Sequence, residues 1–389
     1  MDEFANPFRP GAGSKPPALE GRDDLIDHFA LTVRRAVDAR PGKSLMPIGL
    51  RGVGKTVLLN RFSEIARAEG LAVAFIEAPE SDDFRSLLAN RLRKVLLEYD
   101  NDRKSAKVLR ALRVLKTFSL HLPVGSSFSL DVDALQGSAD SGNLSDDVTD
   151  LLVAAGEAAS ERHGGLLLAV DEVQYLSESE LGALITAIHR TTQQDLPVVL
   201  VGAGLPQLPG LVGEAKSYAE RLFEFPVIGS LVDADARAAL QRPANDAGAA
   251  FSDGALTRIL DLARGYPYFL QEWGYHAWNA ADAGLISRGT VDGIATAVVR
   301  RLDENFFRVR FDRLTPAEKK YLHAMAELGP GPHRSGDIAD QLGVQVTSVA
   351  PRRSNLISKG MIYSPAHGDT AFTVPLFDDF LLRTDTTRR

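Results

Sequence analysis

The apolar residues of this chain change their spacing from segment to segment. Leu45–Leu50, Leu71–Ile76, Leu166–Val170, Val198–Gly202 and Phe223–Ile228 are short, largely apolar runs. Runs of that length suit strands buried on both faces. Helical spacing fills the intervals, as in Lys55 to about Ala68, where Val57, Leu58, Phe62 and Ile65 share one face. The alternation predicts an α/β domain with a parallel sheet covered by helices on both sides.

Other stretches break that rhythm. The first twenty residues, rich in Pro and Gly, read as an extended arm, and Glu20-Gly-Arg-Asp-Asp opens a helix with acids in its first turn. An insertion lies at about 101–148. Lys104, Lys107, Arg110, Arg113 and Lys116 form a basic ridge beside Leu109, Leu112 and Leu115. That ridge is either a projection that touches DNA or a partner, or a solvated helix with a packed leucine face. Ser119–Val124 and Ser127–Val132 alternate across Gly125-Ser126, which predicts a hairpin. Residues 230 to 300 read as wholly helical.

Beyond Leu314 a third pattern begins. Thr315-Pro316 with Glu318 is a strong helix start, because Thr caps and Pro suits the first helical position. Helices over Pro316–Leu328, Ser335–Leu342 and Thr347–Lys359 follow, with Pro351 expected in the first turn of the last. Strands at Met361–Ser364 and Thr370–Val374 then flank Pro365–Asp369. This order predicts a winged helix-turn-helix. The expected domains are 1–229, carrying the arm and the insertion, 230–313, a helical lid, and 314–389.

Composition narrows the chemistry. The 389 residues include no Cys, which removes disulfides, thiolate metal sites and cysteine nucleophiles. No apolar run approaches the roughly 20 residues of a membrane span, and the N-terminus lacks a secretion signal, so a cytoplasmic protein without membrane contact is expected. Residues 300–389 hold 14 Lys/Arg against 11 Asp/Glu, a balance of +3 within a total of −7, which leaves −10 for residues 1–299. Nucleic-acid contact is therefore expected at the C-terminal end.

Gly49-Leu-Arg-Gly-Val-Gly-Lys55-Thr56 is a complete phosphate-binding loop between a strand and a helix. Backbone N–H groups of Gly49, Gly52, Val53, Gly54 and the first helical residues through Val57 cradle phosphates, and the helix N-terminus adds positive potential. Lys55 is expected to reach the β- and γ-phosphates, and Thr56 to offer its hydroxyl to Mg²⁺. ATP with Mg²⁺ is the expected ligand. Leu166–Val170 delivers Asp171 and Glu172 at a strand tip, where open α/β sheets bind ligands. Asp171 is read as a Mg²⁺ holder and Glu172 as the group that orients or deprotonates the attacking water.

With these motifs the chain resembles the AAA+ superfamily, in the branch shared by archaeal-type replication initiators (origin-recognition and cell-division-cycle proteins) and STAND-type switch ATPases. The resemblance covers roughly residues 15–300. Pro17-Ala-Leu-Glu-Gly21-Arg22 looks like the segment that lies along the nucleotide base, which implies a binding role for Arg22. Ser217-Tyr-Ala-Glu-Arg221 is similar to the arginine-finger segment, so Arg221 would act from a neighbouring subunit; otherwise it pairs with Glu220 or Glu224. Arg264-Gly265-Tyr266-Pro267 resembles the lid's sensor II element, implying nucleotide contact by Arg264 and Pro267; otherwise Arg264 compensates acids at a helix end. The sensor I position departs from the family, because its tip is Gly202-Ala203-Gly204 and carries no polar side chain. A backbone group or Gln207 fills that role, or turnover is slow.

Three functions fit these residues. In the first, an initiator-like or DNA-remodelling ATPase uses nucleotide state to control assembly, as a homo-oligomer or beside an AAA+ neighbour. Its winged helix then binds double-stranded DNA with Arg352, Arg353, Asn355 and Lys359. In the second, a slow STAND-type switch contacts a protein partner or an operator. The third, a small-molecule P-loop kinase, lacks an identifiable substrate pocket.

Overall fold

A computed structural model describes residues 1–384 apart from 12, 14, 41, 80–83, 100–104, 123–129 and 162–163. The chain forms two compact units, each interrupted in sequence. A sheet unit comprises Arg22–Ile48 and Lys55–Val227, and a helical unit comprises Met1–Gly21, Gly49–Gly54 and Ile228–Arg389.

The sheet unit contains α1 (Asp23–Val37), β1 (Ser44–Leu45), α2 (Lys55–Ala68), β2 (Leu71–Glu77), α3 (Phe84–Tyr99), α4 (Ala106–Leu120), α5 (Leu144–Glu161), β3 (Gly165–Asp171), α6 (Glu178–Gln193), β4 (Val198–Gly202), α7 (Leu208–Ala215) and β5 (Phe223–Glu224). Its five strands lie in the order β2-β3-β4-β1-β5, and all pairs are parallel. Every residue of β3 is buried, so its apolar run is continuous and its polar end stands out. Each fully buried Leu contributes about 1.5–3 kcal/mol. Phe29 stacks on Phe62 at 4.1 Å and fixes α1 against α2.

The strands β1 and β5 are shorter than their apolar runs. Pro47 and Pro226 supply no N–H to the ladder, and pairing resumes only as bridges from Ile48 to Gly204 and Val227. The expected hairpin is corrected at both described ends: Ser119 and Leu120 belong to α4, and Leu130–Val132 form no strand. The residues between, 123–129, lie outside the described set, as does Lys104. Helix α4 runs on because Leu115 and Phe118 continue its buried face, and the Ser119 hydroxyl donates to the Lys116 carbonyl at 2.7 Å.

The helical unit holds α8 (Asp233–Asp246), β6 (Ala250–Phe251), α9 (Asp253–Ala263), α10 (Pro267–Ala280), β7 (Leu285–Ile286), α11 (Arg288–Leu302), a π-helical turn (Asp303–Phe307), α12 (Arg308–Phe311), α13 (Pro316–Glu327), β8 (His333–Arg334), α14 (Ser335–Leu342), α15 (Val346–Ser358), β9 (Ile362–Tyr363), β10 (Asp369–Phe372) and α16 (Phe377–Thr384). The 230–300 stretch is thus not wholly helical: β6 and β7 pair in parallel. The N-terminal arm packs in this unit rather than extending. Phe8 is buried against Phe251, and a Cβ on Gly274 would stand 2.6 Å from the Phe8 ring.

Thr315 and Glu318 form the capping box that starts α13. The strands β8, β10 and β9 make an antiparallel sheet. Across the boundary expected at 313/314 one apolar core is continuous, with Phe307 stacked on Phe380 at 5.3 Å. Pro351 is corrected to an interior position, because α15 begins at Val346. It withdraws the donor that the Thr347 carbonyl would meet in a regular helix. No helix among the described residues is long and apolar enough to cross a membrane.

Candidate functional site

The glycine loop follows β1 and leads into α2. Gly52 and Gly54 have φ of 82° and 94°, a left-handed region that side chains rarely tolerate. A Cβ on Gly49 would sit 2.2 Å from the Ile228 carbonyl, so a side chain there is excluded. Within the helical unit, the Arg51 N–H donates to the Thr373 carbonyl at 2.9 Å, and the Tyr268 N–H donates to the Gly52 carbonyl at 3.1 Å. Val53 is buried. The loop therefore touches both the start of α10, which Pro267 opens, and the segment after β10.

Within the sheet unit, α2 begins at Lys55, which is only 6% exposed, and Val57 is half-buried on its first turn. The Thr56 hydroxyl donates to Asp171 Oδ2 at 2.5 Å. Asp171 is 3% exposed and takes the Glu172 N–H on its other oxygen at 2.9 Å. Burial pushes the Asp171 carboxyl above its usual range; the Thr56 hydrogen bond opposes this, the Glu172 charge adds to it, and Lys55 works against it. A hydroxyl and a buried carboxylate aimed at one place are hard oxygen donors, the kind Mg²⁺ takes a few of beside phosphate oxygens and water.

Glu172 sits at φ 53° and ψ 40°, a left-handed conformation that costs a non-glycine residue of the order of 1 kcal/mol or more. The conformation reverses the chain into a 3₁₀ turn, Val173–Tyr175, and leaves Glu172 half-buried at the strand tip. Its Oε2 accepts a short hydrogen bond from Gln174 Nε2. Thus Lys55, Thr56, Asp171 and Glu172, which the sequence separates into two motifs, converge at one end of the sheet. Such a set can polarise a phosphate chain and take a proton from water.

The other expected residues stand elsewhere. Arg22 is half-buried just before α1. Arg221 ends a short 3₁₀ helix, Ala219–Arg221, and is exposed, with no ion pair to Glu220 or Glu224 among the described residues. Arg264 adopts φ 49° just past α9, and its Nη2 pairs with Asp379 Oδ2 at 2.8 Å. On α15, Arg353 is consumed inside its own module: it donates to Thr370 Oγ1 at 2.9 Å, Ser364 Oγ at 2.8 Å and the Asp369 carbonyl at 2.9 Å. Lys359 Nζ meets both Glu318 oxygens at 2.8 Å. Arg352 is half-buried and Asn355 exposed. On α4, Arg110 pairs with Glu157 at 2.5 Å, and Arg113 reaches the Asp133 carbonyl at 3.3 Å.

Two residues near these groups escape sequence reasoning. Asp379 reads only as an acid in the first turn of α16. Gln174 reads as an ordinary turn residue, although Gly204, opposite it, was a signal that a side chain needs room. Gln207, offered for the sensor I role, has a buried Oε1 with no hydrogen-bond partner among the described residues.

Comparison with known proteins bears on this geometry. Residues 18–201 match the family described as AAA ATPase domain, and residues 304–381 match one described as a domain of unknown function. No curated protein sequence matches the chain. Among solved structures, a Walker-type ATPase of Pyrococcus abyssi is similar with a TM-score of 0.59 at 16% identity, over 94% of this chain and 96% of that one. The ORC1 protein of Aeropyrum pernix in complex with DNA gives 0.47 at 17% identity, over 100% and 97%. The RuvB Holliday junction branch migration motor of Thermotoga maritima gives 0.47 at 15%, over 92% and 95%. The first of these likenesses extends to the fold, and the match of residues 18–201 to an AAA ATPase domain supports ATPase activity.

Proposed function

We propose that the chain is an ATP-hydrolysing switch whose lid reports to its C-terminal module. ATP lies with its phosphates on Gly49–Thr56. Lys55 neutralises phosphate charge, Thr56 and Asp171 hold Mg²⁺, and Glu172 takes the proton of the attacking water. Bound Mg²⁺ supplies charge stabilisation to the phosphate oxygens. Arg221, exposed and without an ion pair among the described residues, serves a neighbouring subunit, so activity rises with assembly.

The observation that carries the switch is the Arg264–Asp379 pair at 2.8 Å. It joins the candidate sensor arginine to α16, while the same unit brings the Arg51 N–H to Thr373. Arg264 then has two alternative partners, the nucleotide and Asp379, and exchange between them passes nucleotide state to the module. The module has the helix order and antiparallel hairpin of a winged helix. Residues 304–381 hold nine Lys/Arg against nine Asp/Glu, so phosphate neutralisation offers it little DNA affinity, and a protein partner fits better.

A DNA-binding initiator is the second reading. It rests on Arg352 and Asn355, which remain on α15 for double-stranded DNA. One experiment separates the two: ATP affinity, turnover and DNA mobility shift of the wild type and Asp379→Asn. The switch reading expects Asp379→Asn to tighten ATP binding severalfold without a DNA shift in either protein. Unchanged ATP affinity contradicts it, and a salt-sensitive DNA shift by the wild type favours the second reading.

A further inference from the structure

Gln174 uses both ends of its amide. Its Oε1 accepts the Leu205 N–H at 3.0 Å, and its Nε2 donates to Glu172 Oε2. A backbone N–H only donates, so the atom facing it is the oxygen, and the NH₂ must face the carboxylate. The turn that carries Gln174 is fixed from β4: the Val173 N–H donates to the Ala203 carbonyl at 2.9 Å, and the Ala203 N–H donates to Val170 at 2.9 Å. Glu172, in its costly left-handed conformation, is therefore tied on both sides to the segment that follows β4.

The glycine at that segment has a physical reason. A Cβ on Gly204 would stand 2.9 Å from Gln174 Oε1 and 2.9 Å from Leu208 Cδ2. Both lie below the 3.0 Å that real Cβ atoms observe. A side chain at 204 would push the amide away from Leu205. The position that lacks a polar side chain of its own is shaped to admit one from residue 174.

We infer that Gln174 is a positioning residue for ATP hydrolysis, holding the Glu172 carboxylate toward the water and filling the polar role that Gly202-Ala203-Gly204 leaves open. A glutamine amide suits this work because it carries no charge and takes no proton from the base it orients. It occupies Oε2 only, and among the described residues no hydrogen bond engages Oε1. The inference rests on the reading of Glu172 as the base.

The test uses the full chain and compares wild type, Gln174→Leu, Gly204→Ala, Glu172→Gln and the double variant Glu172→Gln/Gln174→Leu. Steady-state hydrolysis and binding of a fluorescent ATP analogue are read for each, with melting temperature as the folding control. Leu at 174 keeps the bulk and loses both hydrogen bonds, so kcat should fall about tenfold, part of what a general base supplies, with ATP affinity within about twofold. Gly204→Ala reaches the same amide from the other side and should lower kcat in the same direction. The double variant should be no slower than Glu172→Gln alone. An unchanged kcat in folded Gln174→Leu or Gly204→Ala, a loss carried by ATP affinity, or additive losses in the double variant overturns the inference. Wild-type turnover by Glu172→Gln overturns instead the reading on which it rests.

Discussion

The end of β3 and the helix α15 both present charged residues that suggest function, and the structure uses them differently. At the end of β3 neutral donors meet the two carboxylates: the Thr56 hydroxyl on Asp171 and the Gln174 amide on Glu172. Their backbone is bent to put them there, at φ 53° for Glu172. Of the four residues expected to contact DNA on and just after α15, two turn back into their own module, Arg353 onto the hairpin and Lys359 onto the capping glutamate of α13. Charge on a helix surface is a composition that many structures satisfy. Carboxylates at the end of a fully buried strand have few structural uses, so their presence carries more meaning.

Substitutions sharpen this contrast. The largest effect is expected at Lys55→Ala, which should lower ATP turnover by roughly 100-fold or more, the scale of removing a charge-stabilising donor, while far-ultraviolet circular dichroism stays unchanged. Arg353→Leu and Lys359→Met should leave turnover nearly intact and lower stability instead. Arg353 loses three hydrogen bonds, about 2 kcal/mol, and Lys359, partly exposed, about 1 kcal/mol, read as a shift of the urea midpoint. A normal midpoint in both would free these side chains for a ligand and weaken the contrast.

The Lys359 effect has a pH signature. Burial pushes the Glu318 carboxyl up, but the Lys359 and Thr315 hydrogen bonds outweigh it and hold it below its usual range. A depressed carboxyl stabilises the fold above its unfolded pKa, near 4.3, and that contribution is lost as pH falls through the folded value. The stability gap between wild type and Lys359→Met should therefore be full at neutral pH and shrink on acidification below about pH 4.

The smallest effect on stability has the opposite sign. Burial raises the Asp171 carboxyl, so the fold gains from it below the unfolded pKa and loses that gain as pH rises through the folded value. At neutral pH without nucleotide, Asp171→Asn should raise the melting temperature by a few degrees while abolishing Mg²⁺-dependent turnover. A lower melting temperature would show that the ionised carboxylate supports the fold.

Much of this was legible in the sequence, for physical reasons. Strand β3 is buried on both faces and so reads as one apolar run, and Gly52 and Gly54 announce left-handed backbone before a helix. Local rules also found the Thr315–Glu318 capping box. What escaped is long-range or competitive. Gln174 meets Leu205 across 31 residues, and Arg264 meets Asp379 across 115. No spacing rule joins such pairs. The 119–132 alternation fitted a strand, but the apolar face of α4 continued through Phe118 and took Ser119 and Leu120 with it. Pro47 and Pro226 shortened strands whose hydrophobicity alone had no reason to stop.

The most direct measurement is ATP hydrolysis by wild type and Glu172→Gln side by side, each also titrated with a fluorescent ATP analogue in Mg²⁺. Comparable binding by both proteins is expected, with turnover reduced by about 10²–10⁴ in Glu172→Gln, the contribution of a positioned general base. Equal turnover, or a loss explained by weaker binding, would contradict the assignment of the chemistry to the end of β3.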